Sequence, residues 1–255
     1  MMDYDLTWFS GTLVVVAGFI AGFINTIAAG GSMLTLPALM LMGMPADIAN
    51  ATNRVGVLLQ GVAGAHGYYR HGKLQLGDIA PLLAPALVGS LIGGLLASYL
   101  PREVLKPALL LTMLGMALLM LVQPSVVAPA PGTPIRPLRQ SPLAILGLFI
   151  AGLYGGFVQA GVGFIIIAAL AGGLRYDLVR TNALKMAITA ALTVIALGVF
   201  VLRGQVLWVP GLLLSAGTVV GASVSVKFAI SVPQSVLKWV LFAMVLVTCT
   251  AAWFS

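Results

Sequence analysis

Two polar stripes recur at helical spacing in this chain, and each holds side chains that donate hydrogen bonds. The first stripe consists of Asn53, Gly56, Gln60 and Gly64, and the second of Asn182, Lys185, Thr189 and Thr193. Steps of three and four residues place each stripe on one face of a helix. Amide and ammonium groups arranged in this way can bind an anion. The alternative is structural, because Thr189 and Thr193 can bond their own backbone and Gln60 can join neighbouring helices.

Two breaks in apolar runs form a second feature that could bind a ligand. The first break lies in Asn25–Pro45, which reads NTIAAGGSMLTLPALMLMGMP, and the second follows Gln159. A helix that restarts after a break exposes unpaired N–H groups and the positive end of its dipole, and both attract anions. The donors that we expect at the two restarts belong to Gly31, Ser32, Met33, Gly161, Val162 and Gly163. The alternative is that glycines only let helices pack closely. The pairs to which this alternative applies most are Gly89/Gly93 and Gly217/Gly221.

Together the stripes and breaks predict one substrate site, in which the two breaks face each other. The predicted substrate-binding residues are Asn25, Gly30, Gly31, Ser32, Asn53, Gln60, Gln159, Gly161, Gly163, Asn182, Lys185 and Thr189. Lys185 weighs most in this prediction, because a cation one turn into an otherwise apolar helix needs an anion or solvent beside it. We predict no catalytic residue, no metal and no cofactor.

The elements that hold these residues are predicted to be helices in a lipid bilayer. Hydrophobic residues make up 60% of the 255 residues, charged residues make up 7%, and the mean hydropathy is +1.10. Long apolar runs without strand-like alternation indicate spanning helices and exclude a barrel. The net charge of +7 is scattered over short loops, which is typical of topology-setting charges and argues against a nucleic-acid partner. Asp3 and Asp5 stand where a signal peptide would be basic, so we expect the first run to be retained.

The chain contains an internal repeat. Phe19–Gly22 and Phe149–Gly152 both read FIAG, and Thr52-Asn53 matches Thr181-Asn182 farther along. The predicted domains are a first transmembrane repeat over 1–123, a Pro-rich linker over 124–141 and a second transmembrane repeat over 142–255.

Each repeat holds a short apolar piece after its first long run. Met33–Gly43 and Gly163–Gly173 would form helices about 16 Å long, roughly half the hydrocarbon core. A short helix that returns to the face from which the chain entered adds no crossing, and three spans follow it. The sequence therefore predicts an all-α polytopic membrane protein of two homologous repeats, each with a re-entrant hairpin and three spanning helices. An odd number of crossings inverts the second repeat, whereas parallel repeats remain the alternative.

The distribution of basic residues favours the inverted arrangement by a small margin. With the N-terminus outside, most Lys and Arg residues fall on the inner face, as the positive-inside rule requires. The residues that this arrangement places outside are Arg54, Arg102, Lys106 and Arg203.

The acidic residues all lie at predicted loops or helix ends. They are Asp3, Asp5, Asp47, Asp78, Glu103 and Asp177. We expect Asp47 and Asp177 to cap the helices that follow them. No carboxylate pair is predicted at mid-membrane, and hydrolase and ATPase motifs are missing from the sequence, which argues against an enzyme or an ATP-driven pump. We expect His66 and His71 at the membrane interface rather than on a metal, and Cys249 as packing.

Two stretches of the chain resemble a known family. Residues 22–53, GFINTIAAGGSMLTLPALMLMGMPADIANATN, are similar to the opening signature of the TauE/SafE family of sulfite and organosulfonate exporters. The segment from GLYGGFVQAGVGF to RTNALK, within residues 152–185, is similar to the second signature of that family. The resemblance covers essentially the whole chain and implies a multi-pass permease of the bacterial inner membrane.

The resemblance also assigns residues. The positions that match the family pattern are Gly30, Gly31, Pro37, Pro45, Thr52, Asn53, Gln159, Gly161, Gly163, Thr181 and Asn182. Two positions depart from the symmetry of the halves, since Ala160 stands where the first half has glycine and Ala183 is the counterpart of Arg54.

We therefore expect a secondary transporter that exports small sulfur-containing anions such as sulfite, sulfoacetate or other organosulfonates, with the anion and the lipid bilayer as its partners. An anion channel or a carrier of another small solute is the alternative within transport. An intramembrane enzyme acting on a lipid or quinone is the alternative of another class. Because no acidic residue is placed to carry protons, the simplest cycle moves the anion as a net charge. The identity of the anion and the oligomeric state stay open, and a homodimer is one possible state.

Overall fold

The protein is all-helical in the computed structural model, which describes residues 8–27, 29–122, 129 and 132–231. The helices of these residues are α1 (Trp8–Ile27), α2 (Ser32–Leu41), α3 (Ala46–Arg70), α4 (Leu76–Tyr99), α5 (Arg102–Val122), α6 (Pro142–Phe157), α7 (Val162–Ile167), α8 (Leu178–Leu202) and α9 (Trp208–Ser231). A 3-10 turn at Leu138–Gln140 precedes α6, and a π-helical segment at Ala168–Gly173 continues α7. The predicted last span, which contains Cys249, lies outside the described residues.

Three of the described helices are long and apolar enough to cross a membrane, namely α4, α8 and α9. Helix α3 has the same length but carries many polar side chains, and nearly all of its first half is buried within the protein. Within a membrane, polar residues are tolerated only where other helices surround them. The fold therefore keeps the first half of α3 away from lipid.

The two short helices confirm the predicted breaks, with shifted ends. Helix α2 begins and ends earlier than the predicted Met33–Gly43. Its early end follows from Gly43, whose φ of +85° cannot continue an α-helix. Helix α6 ends at Phe157, before the second break, where Gln159 (φ +70°) and Gly161 (φ +79°) adopt left-handed backbone conformations. A left-handed conformation is costly for glutamine but not for glycine. The second break is thus fixed by backbone geometry as well as by sequence.

Glycines let α4 pack along α6 and α1 pack along α9. A Cβ atom added at Gly89 would collide with the Phe149 carbonyl oxygen, and one added at Gly217 with that of Val15. Gly93 and Gly221 make equally close approaches one turn further on. The structural alternative is therefore confirmed for these glycine pairs, which bring two helix backbones into contact.

The helix directions follow from the same contacts. A Cβ at Gly61 would lie 3.0 Å from the Cβ of Ala190, and one at Gly64 would lie 2.5 Å from the Cε of Met186. Residue numbers thus rise along α3 as they fall along α8, so these two helices are antiparallel. Along α4 and α6 the contacts rise together, as they do along α1 and α9, so each of these pairs is parallel.

The two aspartates expected to cap helices behave differently. Asp177 is the N-cap of α8, and its carboxylate accepts hydrogen bonds from the backbone N–H groups of Val179 and Arg180. The prediction for Asp47 was wrong: Pro45 occupies the N-cap position of α3, and Asp47 pairs instead with Arg102 at 3.1 Å. A proline at the cap leaves Asp47 inside the first turn, where its side chain turns toward α5.

Candidate functional site

Arg54 lies in the interior of the protein, whereas the charge distribution predicts it on the outer face of the membrane. Its side chain is fully buried in α3. Nη1 donates to the Gly155 carbonyl oxygen at 2.7 Å and to Gln159 Oε1 at 2.9 Å, and Nη2 donates to the Gly156 carbonyl oxygen at 2.6 Å. The guanidinium also lies 4.9 Å from the centre of the Phe200 ring. Arg54 therefore occupies the C-terminal end of α6, where the helix dipole is negative.

Lys185 holds the C-terminal end of α1 in a similar way. Its Nζ donates to the carbonyl oxygens of Asn25 and Thr26, at 2.8 and 3.2 Å, and to Asn182 Oδ1 at 3.0 Å. Only 1% of the residue is exposed. We expected an anion or solvent beside Lys185, and the structure instead surrounds its ammonium with carbonyl oxygens. Carbonyl groups freed by the first break supply this charge with acceptors.

Gln159 joins the second break to α3 and α8. Besides accepting from Arg54, its amide Nε2 donates to Thr193 Oγ1 at 2.6 Å, and the Thr193 hydroxyl donates to the Thr189 carbonyl oxygen, also at 2.6 Å. The backbone-bonding alternative is thus confirmed for Thr193. Both ends of the Gln159 side chain are used within the protein, so this residue positions Arg54 and the break.

Several other buried donors have no acceptor within the described part of the chain. The side-chain nitrogens in this group are Asn53 Nδ2, Arg54 Nε, Gln60 Nε2 and Asn182 Nδ2. The orientation of two amides is fixed by their oxygens, because Asn53 Oδ1 accepts from Thr35 Oγ1 at 2.6 Å and Asn182 Oδ1 accepts from Lys185. A buried N–H group without an acceptor is unfavourable by about 1–3 kcal/mol. These groups are suited to the oxygens of a ligand.

The two breaks lie against each other near Lys185. A Cβ atom at Gly163 would lie 2.6 Å from the Cβ of Ala29 and 3.1 Å from Lys185 Cδ. Gly31 also has a packing role, since its Cα faces Ala21 and Asn25 of α1. Ser32 begins α2 and is buried.

Two of the backbone donors that we expected at the restarts are used locally. The Met33 amide donates to the Gly30 carbonyl oxygen at 3.0 Å, and the Val162 amide donates to that of Gln159 at 3.2 Å. Tight turns at the two breaks consume these N–H groups.

The predicted site residues therefore form two groups. Lys185, Asn182, Asn25 and Gly163 meet at the first break, and Gln159 and Thr189 belong with Arg54 at the second. The two groups contact different levels of α3: Met186, next to Lys185, lies beside Gly64, ten residues beyond Arg54, which is about 15 Å along a helix. Gln60 lies between these two levels and makes no side-chain hydrogen bond to any residue in the described ranges. The single site predicted from the two stripes thus corresponds to two centres, with Gln60 at a level of α3 between them.

No carboxylate among the described residues pairs with Arg54. Within residues 8–231, apart from the stretches the structure does not describe, the ion pairs are Asp47 with Arg102 and Asp78 with Arg180. Both pairs lie at helix ends. Over the same residues, no group of three or more His, Cys, Asp or Glu side chains could hold a metal ion.

Known proteins resemble this chain over most of its length. The sequence profile of the family described as "Sulfite exporter TauE/SafE" matches residues 14–252, which agrees with the resemblance noted in the sequence. A "Probable membrane transporter protein ORF9" from Sinorhizobium sp. is 29% identical over 92% of this chain and 88% of its own length. A "Probable membrane transporter protein" from Haemophilus influenzae is 28% identical over 89% of this chain and 88% of its own. The "Probable membrane transporter protein YfcA" from Escherichia coli K12 is 29% identical over 89% and 83%. No solved structure gave a significant match.

Proposed function

Because the chain belongs to the sulfite exporter TauE/SafE family of membrane transporters, we propose that it is a secondary transporter that exports small sulfur-containing anions across the bacterial inner membrane. Sulfite, sulfoacetate and other organosulfonates are the proposed substrates. One observation carries the proposal: Arg54 is a buried cation that no carboxylate among the described residues contacts, in a core that also holds amide donors without an acceptor among those residues.

The electrostatic balance of the core favours an anion. Arg54 lies at the C-terminal end of α6, and a helix C-terminus carries a partial charge of about −0.5. About half of its positive charge is left uncompensated by the dipole. In a medium of low dielectric constant this excess attracts an anion and repels a free cation. The unpaired donors Asn53 Nδ2, Gln60 Nε2 and Asn182 Nδ2 are suited to bind sulfonate oxygens.

We further propose that the two repeats are inverted and that the anion passes between α3 and α8. Support comes from the helix directions, because inverted repeats make α3 and α8 antiparallel, while parallel repeats make them run the same way. The cross-pairing of α1 with α9 and of α4 with α6 has the same symmetry. A site near the meeting of the halves can open to either face when one half rocks against the other.

Binding to purified protein tests the substrate proposal. We expect sulfite and sulfoacetate to raise the melting temperature in detergent, since a ligand that binds only the folded state stabilises it. Acetate and the neutral dimethyl sulfone serve as controls for the carboxylate and for the sulfur group. Stabilisation by dimethyl sulfone as large as that by sulfoacetate would contradict an anion site.

A flux assay distinguishes the carrier from a channel. In proteoliposomes, a carrier should show saturating uptake of labelled sulfonate and should accelerate when unlabelled sulfonate is present on the opposite side. Flux that rises linearly with concentration, without such acceleration, would identify a channel.

A further inference from the structure

We propose that the Lys185 ammonium is a tethered cation, a charge that the chain itself places in a cage of carbonyl oxygens at the end of α1, where a free cation would otherwise bind. The cage includes the Asn25 and Thr26 carbonyl oxygens and Asn182 Oδ1, at 2.8, 3.2 and 3.0 Å from Nζ. Carbonyl groups at the C-terminal ends of broken helices are the ligands that many carriers use for Na⁺. Oxygen ligands suit a hard cation as well as an ammonium group.

The cage is closed and shaped for the lysine side chain. Asn25, Asn182 and Lys185 are 7%, 0% and 1% exposed. Gly163 leaves room for the aliphatic stem, because a Cβ there would come within 3.1 Å of Lys185 Cδ. A buried cation is tolerated only where its donors are satisfied. The cage and the charge therefore depend on each other.

The second break repeats the arrangement with a different cation. Arg54 bonds the consecutive carbonyl oxygens of Gly155 and Gly156 together with Gln159 Oε1. When the two FIAG segments are aligned, Asn25 and Thr26 correspond to Gly155 and Gly156. Each half thus supplies a fixed cation to the same two carbonyl positions of the other half. With both helix ends occupied by side chains, transport needs no free Na⁺ or H⁺ at either position.

Cation rescue of Lys185→Ala tests this inference. Removal of the ammonium should leave the three oxygens without a donor and lower the melting temperature in choline buffer. Na⁺ or methylammonium should then bind in the cage and restore several degrees of stability, whereas choline is too large to enter. Lys227→Ala is the matched control, because Lys227 is exposed on α9 and its loss should create no cation dependence.

Lys185→Met provides a second variant that fills the space of the stem without a charge. We expect it to be destabilised and to ignore Na⁺ and methylammonium, since the thioether blocks the cage. A Lys185→Ala protein whose stability no cation changes would overturn the inference. A second result would also overturn it: Lys185→Ala cannot be recovered in any cation, while Lys185→Met is as stable as the wild type. The packing of the aliphatic part of the Lys185 side chain would then explain its role.

Only the transport assay rests on the proposed function. Wild-type sulfonate flux should not change when choline replaces Na⁺, whereas Lys185→Ala flux should fall at least about tenfold in choline and recover with methylammonium. Cation rescue of stability without sulfonate flux in the wild type would support the tethered cation and overturn the proposed function. Sulfonate flux in the wild type, without any rescue of Lys185→Ala by a cation, would support the proposed function and overturn the tethered cation.

Discussion

Gln159 Oε1 lies 2.9 Å from Nη1 of Arg54, so the residue that interrupts the second half is held by a charge from the first half. The same glutamine has a left-handed backbone, which few residues other than glycine adopt. Its side-chain bonds to Arg54 and Thr193 offset the strain of this conformation. The break therefore depends on contact between the two halves.

Replacing Gln159 with glutamate should separate stability from anion binding. Gln159→Glu keeps an acceptor for Arg54, and the Thr193 hydroxyl can turn from the Thr189 carbonyl oxygen to donate to the new carboxylate, so the protein should remain folded. The new negative charge cancels the positive excess beside α6, and sulfonate affinity should fall more than about tenfold. Thermal melts with and without sulfoacetate measure both quantities. Gln140→Glu is the control, because Gln140 is exposed in the linker; equal losses of affinity in both variants would count against a local effect.

Asn53→Ala should weaken anion binding with little change in stability. Its Nδ2 has no acceptor among the described residues, and the Thr35 hydroxyl that donates to its Oδ1 can donate instead to the Ser32 carbonyl oxygen, 3.5 Å away. Loss of a donor to a charged ligand should lower affinity by about 1.5–3 kcal/mol. Asn50→Ala is the matched comparison on the same helix, because Asn50 Nδ2 already donates to the Phe157 carbonyl oxygen at 2.8 Å. That variant should lose stability and keep its affinity; the opposite pattern would place the anion elsewhere.

Alanine at Gly217 should disrupt the packing of α1 against α9. The added methyl group meets the Val15 carbonyl oxygen, and overpacking of this kind is unfavourable by about 1–3 kcal/mol. Gly198→Ala is the control, since no atom lies within 4 Å of a Cβ at that helical position and alanine favours helix by up to about 1 kcal/mol. Melting temperatures of the two variants should move in opposite directions. A tolerated Gly217→Ala would show that the two backbones can separate.

Cysteine labelling tests the inverted arrangement. In a Cys249→Ser background, an impermeant thiol reagent added to intact cells should label Arg203→Cys at the end of α8 and not Gln140→Cys in the linker. Both native side chains are exposed, so access to the reagent is not limited by burial. Labelling of Gln140→Cys from outside would contradict the inverted topology with an outer N-terminus.

Export should respond to the membrane potential. A monovalent anion that leaves an inside-negative compartment gains about 2.3 kcal/mol per 100 mV, which at about 150 mV sustains roughly a few-hundred-fold gradient. Proteoliposomes loaded with a monovalent sulfonate should therefore release it faster under a potassium–valinomycin potential, negative inside, at equal pH and without Na⁺. Efflux that ignores this potential and follows a pH gradient would indicate electroneutral transport.

The sequence predicted the breaks and polar stripes because both depend on local chemistry. Gly30-Gly31 and Gly161 interrupt apolar runs, and residues spaced by three and four share a helix face wherever the helix lies. The distribution of charges predicted Arg54 on the outer face of the membrane, because a charged residue near the start of a predicted span usually sets the orientation of that span. The position of Arg54 directly after Asn53, eight residues inside α3, was the available signal. Its partners could not be predicted, since the Gly155 and Gly156 carbonyl oxygens reach it only after distant segments pack.

The pairing of α1 with α9 has a consequence for synthesis. About 180 residues separate the end of α1 from the start of α9, and a ribosome that adds about 5–20 residues per second needs roughly ten to forty seconds to make them. During this interval the face of α1 that packs on α9 has no partner, and Arg54 lacks the α6 carbonyl oxygens to which it donates. Both groups depend on the membrane insertion machinery until the later helices are made. The two halves consequently complete their folding together, and a first half expressed alone should be degraded rather than fold by itself.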